Sequence, residues 1–221
     1  MRKRKKLRLL VLRRRWLAAG LCLLAAGGIF LAVEAPAALQ TAASARQLPI
    51  YSVECPDKRC AISFDAAWGN EDTAKILEIL KQNDVHVTFF MTGGWVESYP
   101  DDVKAILAAG HDLGNHSENH KNMSQLSDEQ KKEELMKAHD KVRELTGYEM
   151  FLFRPPYGDY DNAVVKVARD CGYYTIQWDV DSLDWKDYGV DSIIKTVTEH
   201  KHLGNGSIIL CHNGDYKLVC C

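Results

Sequence analysis

His116 and His120 stand four residues apart in the stretch GNHSENHKN, residues 114–122. Imidazoles at i and i+4 can share one helix face, but a polar Gly- and Asn-rich loop can also carry solvated histidines with no task. Spacing leaves both readings open, so the rest of the chain has to decide. It offers Asp65 after CAISF, Arg154 after FLF, Asp181 and Asp184 after YYTIQW, and His212 after SIILC. Together these groups suit metal-assisted hydrolysis. Zinc or a similar cation takes neutral nitrogen or carboxylate ligands and keeps one position for water. A carboxylate such as Asp65 could take the proton from that water as it attacks a carbonyl. His212, oriented by an aspartate, could protonate the leaving group, and Arg154 beside Asp65 would favour its charged form.

Such residues need a scaffold that brings distant segments together. Apolar, strand-like runs occur at 60–64, 85–91, 151–153, 173–178 and 207–211, with DLGNH at 112–116 a weaker candidate. Helical patterns lie between them. EDTAKILEILKQ puts Ile76, Ile79 and Leu80 on one face, DDVKAILAAG ends at Gly110, and NAVVKVARDCG and SIIKTVTEH follow later. Ser127-Asp128-Glu129-Gln130 has a capping-box pattern and opens a helix expected to run to Gly147. Strand and helix alternating at this interval predict βαβ units and a parallel sheet. Every reactive residue named above follows a strand candidate, as in a (β/α) barrel, where strand ends converge on one mouth.

The chain has 221 residues, room for one globular domain and an appendage. Arg2–Arg15 hold nine Lys/Arg and no acid, and Trp16–Val33 are 18 residues without a charge. Eighteen helical residues span ~27 Å, near the hydrocarbon thickness of a bilayer. That exceeds the ~7–15 apolar residues of a signal peptide, and the small-x-small site Ala43-Ser44-Ala45 lies well beyond the run. The expectation is an uncleaved single-pass anchor in the cell membrane. Residues 1–15 are then cytoplasmic, 34–48 a linker, and 49–221 an extracytoplasmic domain. Overall charge is −2, so the chain outside the basic segment carries −11, which speaks against nucleic acid as a partner. Cys55 and Cys60 flank PDKR, where an exported domain can keep a disulfide. Oligomeric state is not legible.

SFDAAWGN (63–70), HSENH (116–120), RPPYG (154–158), DSLDW (181–185) and LCH (210–212) resemble, in order, the five motifs of the polysaccharide deacetylases, the NodB-homology or carbohydrate esterase 4 family. The likeness runs from about Ile62 to His212, roughly two thirds of the chain. The resemblance implies an α/β fold, a distorted (β/α) barrel with fewer than eight regular strands. It also implies removal of N-acetyl groups from amino sugars of peptidoglycan or a related glycan. By motif position, His116 and His120 are the implied ligands of a divalent metal, zinc by expectation. Asp65 is the implied base, Arg154 positions it, and the backbone N–H of Tyr157 helps hold the oxyanion. Asp184 tunes the acid His212, while Pro156, Trp185 and Leu210 belong to the sugar-binding surface. His86, His111, His139, His200 and His202 match no motif and are read as structural or solvated.

Two departures modify this. Ala66 and Ala67 follow Asp65 where the family carries a second, metal-binding aspartate. Weak metal retention is therefore expected, on two histidines, water and Asp65 or a nearby carboxylate such as Asp72. The alternative is a catalytically silent glycan-binding protein on the same scaffold. The residues after LCHNG are DYKLVCC, where family domains continue through a further helix and strand. The expectation there is a barrel with an open sheet edge.

Overall fold

The computed structural model describes residues 46–214. Seven strands form: β1 (Ala61–Ala66), β2 (Thr88–Met91), β3 (Asp112–Asn115), β4 (Leu152–Phe153), β5 (Tyr174–Thr175), β6 (Val180–Asp181) and β7 (Ile208–Asn213). They make one sheet in the order β5-β4-β3-β2-β1-β7-β6 with every pairing parallel. β5 and β6 follow each other in the chain yet sit at opposite edges, joined only by residues 176–179. In a flat sheet with ~4.8 Å between strands those edges would stand ~29 Å apart. The five Cα steps from Thr175 to Val180 reach at most ~18 Å. The sheet therefore has to curl, and the result is an open, distorted (β/α) barrel. Residues 50–53 bind both flanks of the gap. Ile50 N–H donates to Thr175 O (2.9 Å), Gln177 N–H to Ile50 O (2.7 Å) and Val53 N–H to Gly206 O (2.9 Å).

Six helices alternate with the strands: α1 (Thr73–Gln82), α2 (Gly93–Ser98), α3 (Pro100–Ala108), α4 (Asp128–Thr146), α5 (Asn162–Asp170) and α6 (Val190–Thr198). The period of two splits each strand between two faces. Phe64 and Ala66 of β1 pack with Phe89, Met91, Leu113 and Phe153 against Ile106, Leu135, Val142 and Val164 of the helices. Ser63 and Asp65 turn the other way, into the barrel. α4 starts on a complete capping box: Gln130 N–H donates to Ser127 Oγ and Ser127 N–H to Gln130 Oε1. It ends at Gly147, whose φ of +74° is the left-handed C-cap that glycine adopts without penalty.

The strand runs at 60–64, 85–91, 112–116, 151–153 and 207–211 each fall on a strand, but β1 and β7 run two residues further, so Asp65 and His212 stand within strands and not after them. The run at 173–178 pairs only at Tyr174–Thr175, because the chain must leave that edge to cross the gap. α2 carried no periodic signal; Thr92 caps it by accepting from Trp95 N–H (3.1 Å). Cys55 and Cys60 are free thiols, not a disulfide. The basic segment 1–15, the anchor 16–33, almost all of the linker and the tail 215–221 lie outside the described residues. No described helix is long and apolar enough to cross a membrane. The sheet edges, β5 and β6, are two residues long each.

Candidate active site

Asp65 and His212 are register partners on adjacent strands β1 and β7. Their side chains therefore leave the same sheet face about one strand spacing, ~4.8 Å, apart. Ser63 pairs with Leu210 one step below. β3 delivers His116 just beyond its end, and β4 delivers Arg154, whose N–H donates to Asn115 O (2.9 Å). Sheet register alone thus gathers four of the residues at one mouth.

Arg154 is wholly buried and organises both sides of the site. Its Nη1 donates to Asp65 Oδ1 (2.7 Å) and its Nη2 to Ser63 Oγ (2.8 Å), while its guanidinium lies over the Phe90 ring, 4.1 Å from the centroid. Its carbonyl accepts from His116 Nδ1 (2.7 Å). A carbonyl can only accept, so Nδ1 carries the proton and Nε2 keeps its lone pair. Burial would raise the Asp65 pKa, but Arg154, with smaller contributions from His116 and His212, outweighs it and holds the carboxyl below its usual range.

His116 and His120 sit on a loop, not a helix. Left-handed backbone at Ser117 (φ 66°) and His120 (φ 54°) folds the loop back so that the two ring centroids stand 4.9 Å apart. Hydrogen bonds fix this shape. Ser117 N–H donates to Asn115 Oδ1 (2.9 Å), His120 N–H to Ser117 Oγ (3.1 Å), and Asn119 N–H to the α4 carboxylate of Glu134 (2.8 Å). Burial depresses the His116 pKa. Burial, then the neighbouring His116, depresses that of His120 to about 3. Both rings are neutral at physiological pH, as metal ligands must be.

On the other wall, Asp184 Oδ1 lies 2.6 Å from His212 Nδ1, and its Oδ2 accepts from the His212 N–H (2.7 Å). Burial lowers the His212 pKa, but the Asp184 hydrogen bond and the charge of Asp65 outweigh it and the net shift is upward. Asp184 and Asp65 thus favour the protonated ring at His212, whereas burial disfavours it at His116 and His120. Tyr157 has φ +60° in a short 3-10 turn. Its ring meets His120 edge-on at 4.5 Å.

These residues enclose a cavity of about 480 Å³. Asp65, His116, His120, Tyr157, Trp185, Leu210 and His212 line it. Arg154 lies behind Asp65 and Asp184 behind His212. Pro156 is buried and does not line the cavity. Three further lining residues are Trp68, Trp178 and Asp181. Asp181 also accepts from Leu183 N–H (2.9 Å), the capping role its position suggests. Ser63 and Gln177, whose carbonyl accepts from Arg154 Nη2 (3.3 Å), carried no signal in the sequence. Both look like strand residues until the fold is known.

The donors fit a divalent cation held by few protein ligands. The His116 Nε2 lone pair faces Asp65 Oδ2 at 3.5 Å, two acceptors whose approach a cation between or beside them would relieve. The carbonyl bond at Nδ1 is the outer partner that ligand histidines carry. His120 Nδ1 is buried with no hydrogen-bond partner. Among the described residues no three His, Cys, Asp or Glu side chains already surround one point. Ala66 is fully buried in the strand–helix core, and Asp72, exposed before α1, does not line the cavity.

A curled parallel barrel whose mouth pairs a clamped carboxylate with a clamped imidazole, beside two neutral histidines, has the form of a hydrolase site. The chain belongs to the polysaccharide deacetylase family, whose pattern matches residues 52–176. A peptidoglycan-N-acetylglucosamine deacetylase of Bacillus cereus is 38% identical over 166 residues, covering 74% of this chain and 76% of that one. The peptidoglycan-N-acetylmuramic acid deacetylase PdaA of Bacillus subtilis is 34% identical over 153 residues, 66% of this chain and 58% of that one. Among solved structures, a CE4 family pseudoenzyme from Bacillus anthracis superposes with TM-score 0.72 at 37% identity, covering 75% of this chain and 58% of that one. A mutant of that pseudoenzyme with restored enzymatic activity matches with the same TM-score of 0.72. The chain spans 52–59% of the length of three of its curated relatives.

Proposed function

We propose that this chain is a metal-dependent N-deacetylase of cell-wall glycan, hydrolysing the acetamide of N-acetylglucosamine or N-acetylmuramic acid to a free amine and acetate. The observation that carries the reading is the opposition of Asp65, bound by Arg154, and His212, bound by Asp184, across one cavity. His116 and His120 would hold the cation, zinc by their nitrogen donors, and when bound it would make water a nucleophile and polarise the carbonyl. Asp65 accepts the proton of the attacking water. Tyr157 N–H donates to the oxyanion as the tetrahedral centre forms. His212 gives its proton to the departing amine nitrogen. Trp185 and Leu210 pack against the sugar. The names of the Bacillus relatives support peptidoglycan as the substrate class. The basic segment followed by Trp16–Val33 supports a single-pass tether with this domain outside the membrane.

The test is acetate release by the detergent-solubilised full chain from peptidoglycan and chitin oligomers, with and without added zinc or cobalt. The expected outcome is release that requires metal and falls at least a hundredfold in His116→Ala. One observation favours a second reading, a silent glycan binder: Ala66 stands where a ligand is expected, and a similar solved structure is a pseudoenzyme. Glycan binding without release under any metal would select that reading. Ala66→Asp would then restore release if the missing ligand is the cause.

A further inference from the structure

Three of the four tryptophans in the described residues, Trp68, Trp178 and Trp185, line the one cavity that holds Asp65 and His212. The fourth, Trp95, is buried, and its Nε1–H donates to Gly69 O (2.7 Å), fixing the residue next to Trp68. A second restraint comes from the residue just past β7. Gly214, at φ +103°, approaches so closely that a Cβ there would lie 2.6 Å from Trp68 O and 2.9 Å from Gly69 O. The Trp68 backbone is therefore clamped from two directions. Its ring is half-buried and meets His120 edge-on at 5.5 Å between centroids, and the Tyr157 ring meets His120 at 4.5 Å. His120 thus has an aromatic ring at each of two contacts, and both rings also line the cavity.

Rigid indole at a cavity wall is costly to leave half-wetted, and a clamped ring loses little freedom when a ligand covers it. We infer that Trp68 is a sugar platform. Its ring receives the C–H face of the hexosamine whose acetamide points to His212, as a subsite that needs no cation. The inference rests on the reading that a glycan enters this cavity, but it does not require that the glycan be hydrolysed. It also gives the AAW sequence after Asp65 a use: the segment that lacks a carboxylate ligand supplies binding surface instead.

The experiment titrates tetra-N-acetylchitotetraose into the full chain in detergent with excess EDTA, read by tryptophan fluorescence and by calorimetry. Wild type should bind, and Trp68→Ala should bind about tenfold more weakly, ~1.4 kcal/mol. Trp68→Phe, which keeps an aromatic face, should recover at least half of that loss in free energy. Gly214→Ala keeps the indole but displaces its backbone, and should weaken binding severalfold with the far-ultraviolet spectrum unchanged. Wild type that fails to bind in EDTA, or Trp68→Ala within twofold of wild type, would overturn the proposal. Acetate release, scored in parallel with metal, judges the hydrolytic reading separately. Trp68-dependent binding with no release leaves the platform standing and removes the catalysis.

Discussion

Burial keeps His116 and His120 neutral, and that has a consequence for stability. In the unfolded chain His120 takes up a proton near pH 6.5, whereas in the fold its pKa is about 3. Between those values the unfolded state binds the extra proton, so stability rises with pH through the window and is lost as pH falls through it. His212 has the opposite sign: its raised folded pKa favours the folded state below about pH 6.5, and that share is lost as pH rises through the folded value. With metal removed, Tm should fall as pH is lowered from 6.5 towards 4, and His120→Gln should flatten the fall. A His120→Gln profile as steep as wild type by circular dichroism would assign the acid limb to other groups. At this scale the sequence was legible wherever a residue sat in a recognisable motif: seven of the ten residues so identified line the cavity, and Arg154 and Asp184 stand directly behind it. It was silent on Ser63 and Gln177, whose contacts with Arg154 cross from other strands.

The site is built by strand register, and one small residue keeps that register compatible with the chemistry. Gly114 on β3 pairs with Phe90 on β2, and a Cβ at 114 would lie 2.4 Å from Phe90 Cδ1. Phe90 in turn supports the Arg154 guanidinium. Gly114→Ala should push the ring against Arg154 and cost about 1–3 kcal/mol by overpacking, or about 3–10 °C in Tm for a domain of this size. Adding Phe90→Leu, which removes the clash, should recover part of the loss. Additive losses in the double variant would place the strain elsewhere. The apolar strand runs and the capped helix α4 could be read from periodicity and end signals. β6 and α2 escaped, and the run at 173–178 shrank to the two residues of β5, because these elements are defined by where neighbours leave room and not by a repeating pattern of their own.

For the whole molecule, the proposed tether has a direct test. After carbonate extraction of membranes the full chain should stay in the pellet. Protease added outside intact protoplasts should remove the domain and leave a short protected fragment carrying Arg2–Arg15. A domain resistant to external protease would reverse the proposed orientation. The alternation of strands and helices disclosed a parallel barrel, but its closure rests on four residues that cross between edges, which no periodicity can report. The pairing of β1 with β7 brings Ala61 beside Ile208 and Asp65 beside His212, partners about 147 positions apart in the chain. Contacts so distant in sequence form slowly and late. If the domain is exported as proposed, a chain emerging from a translocation pore would complete its β3 and β4 side, with His116 and His120, while the strand bearing His212 was still arriving. On the proposed reading, the hydrolytic site would be completed last, and a chain still crossing the membrane would be inert.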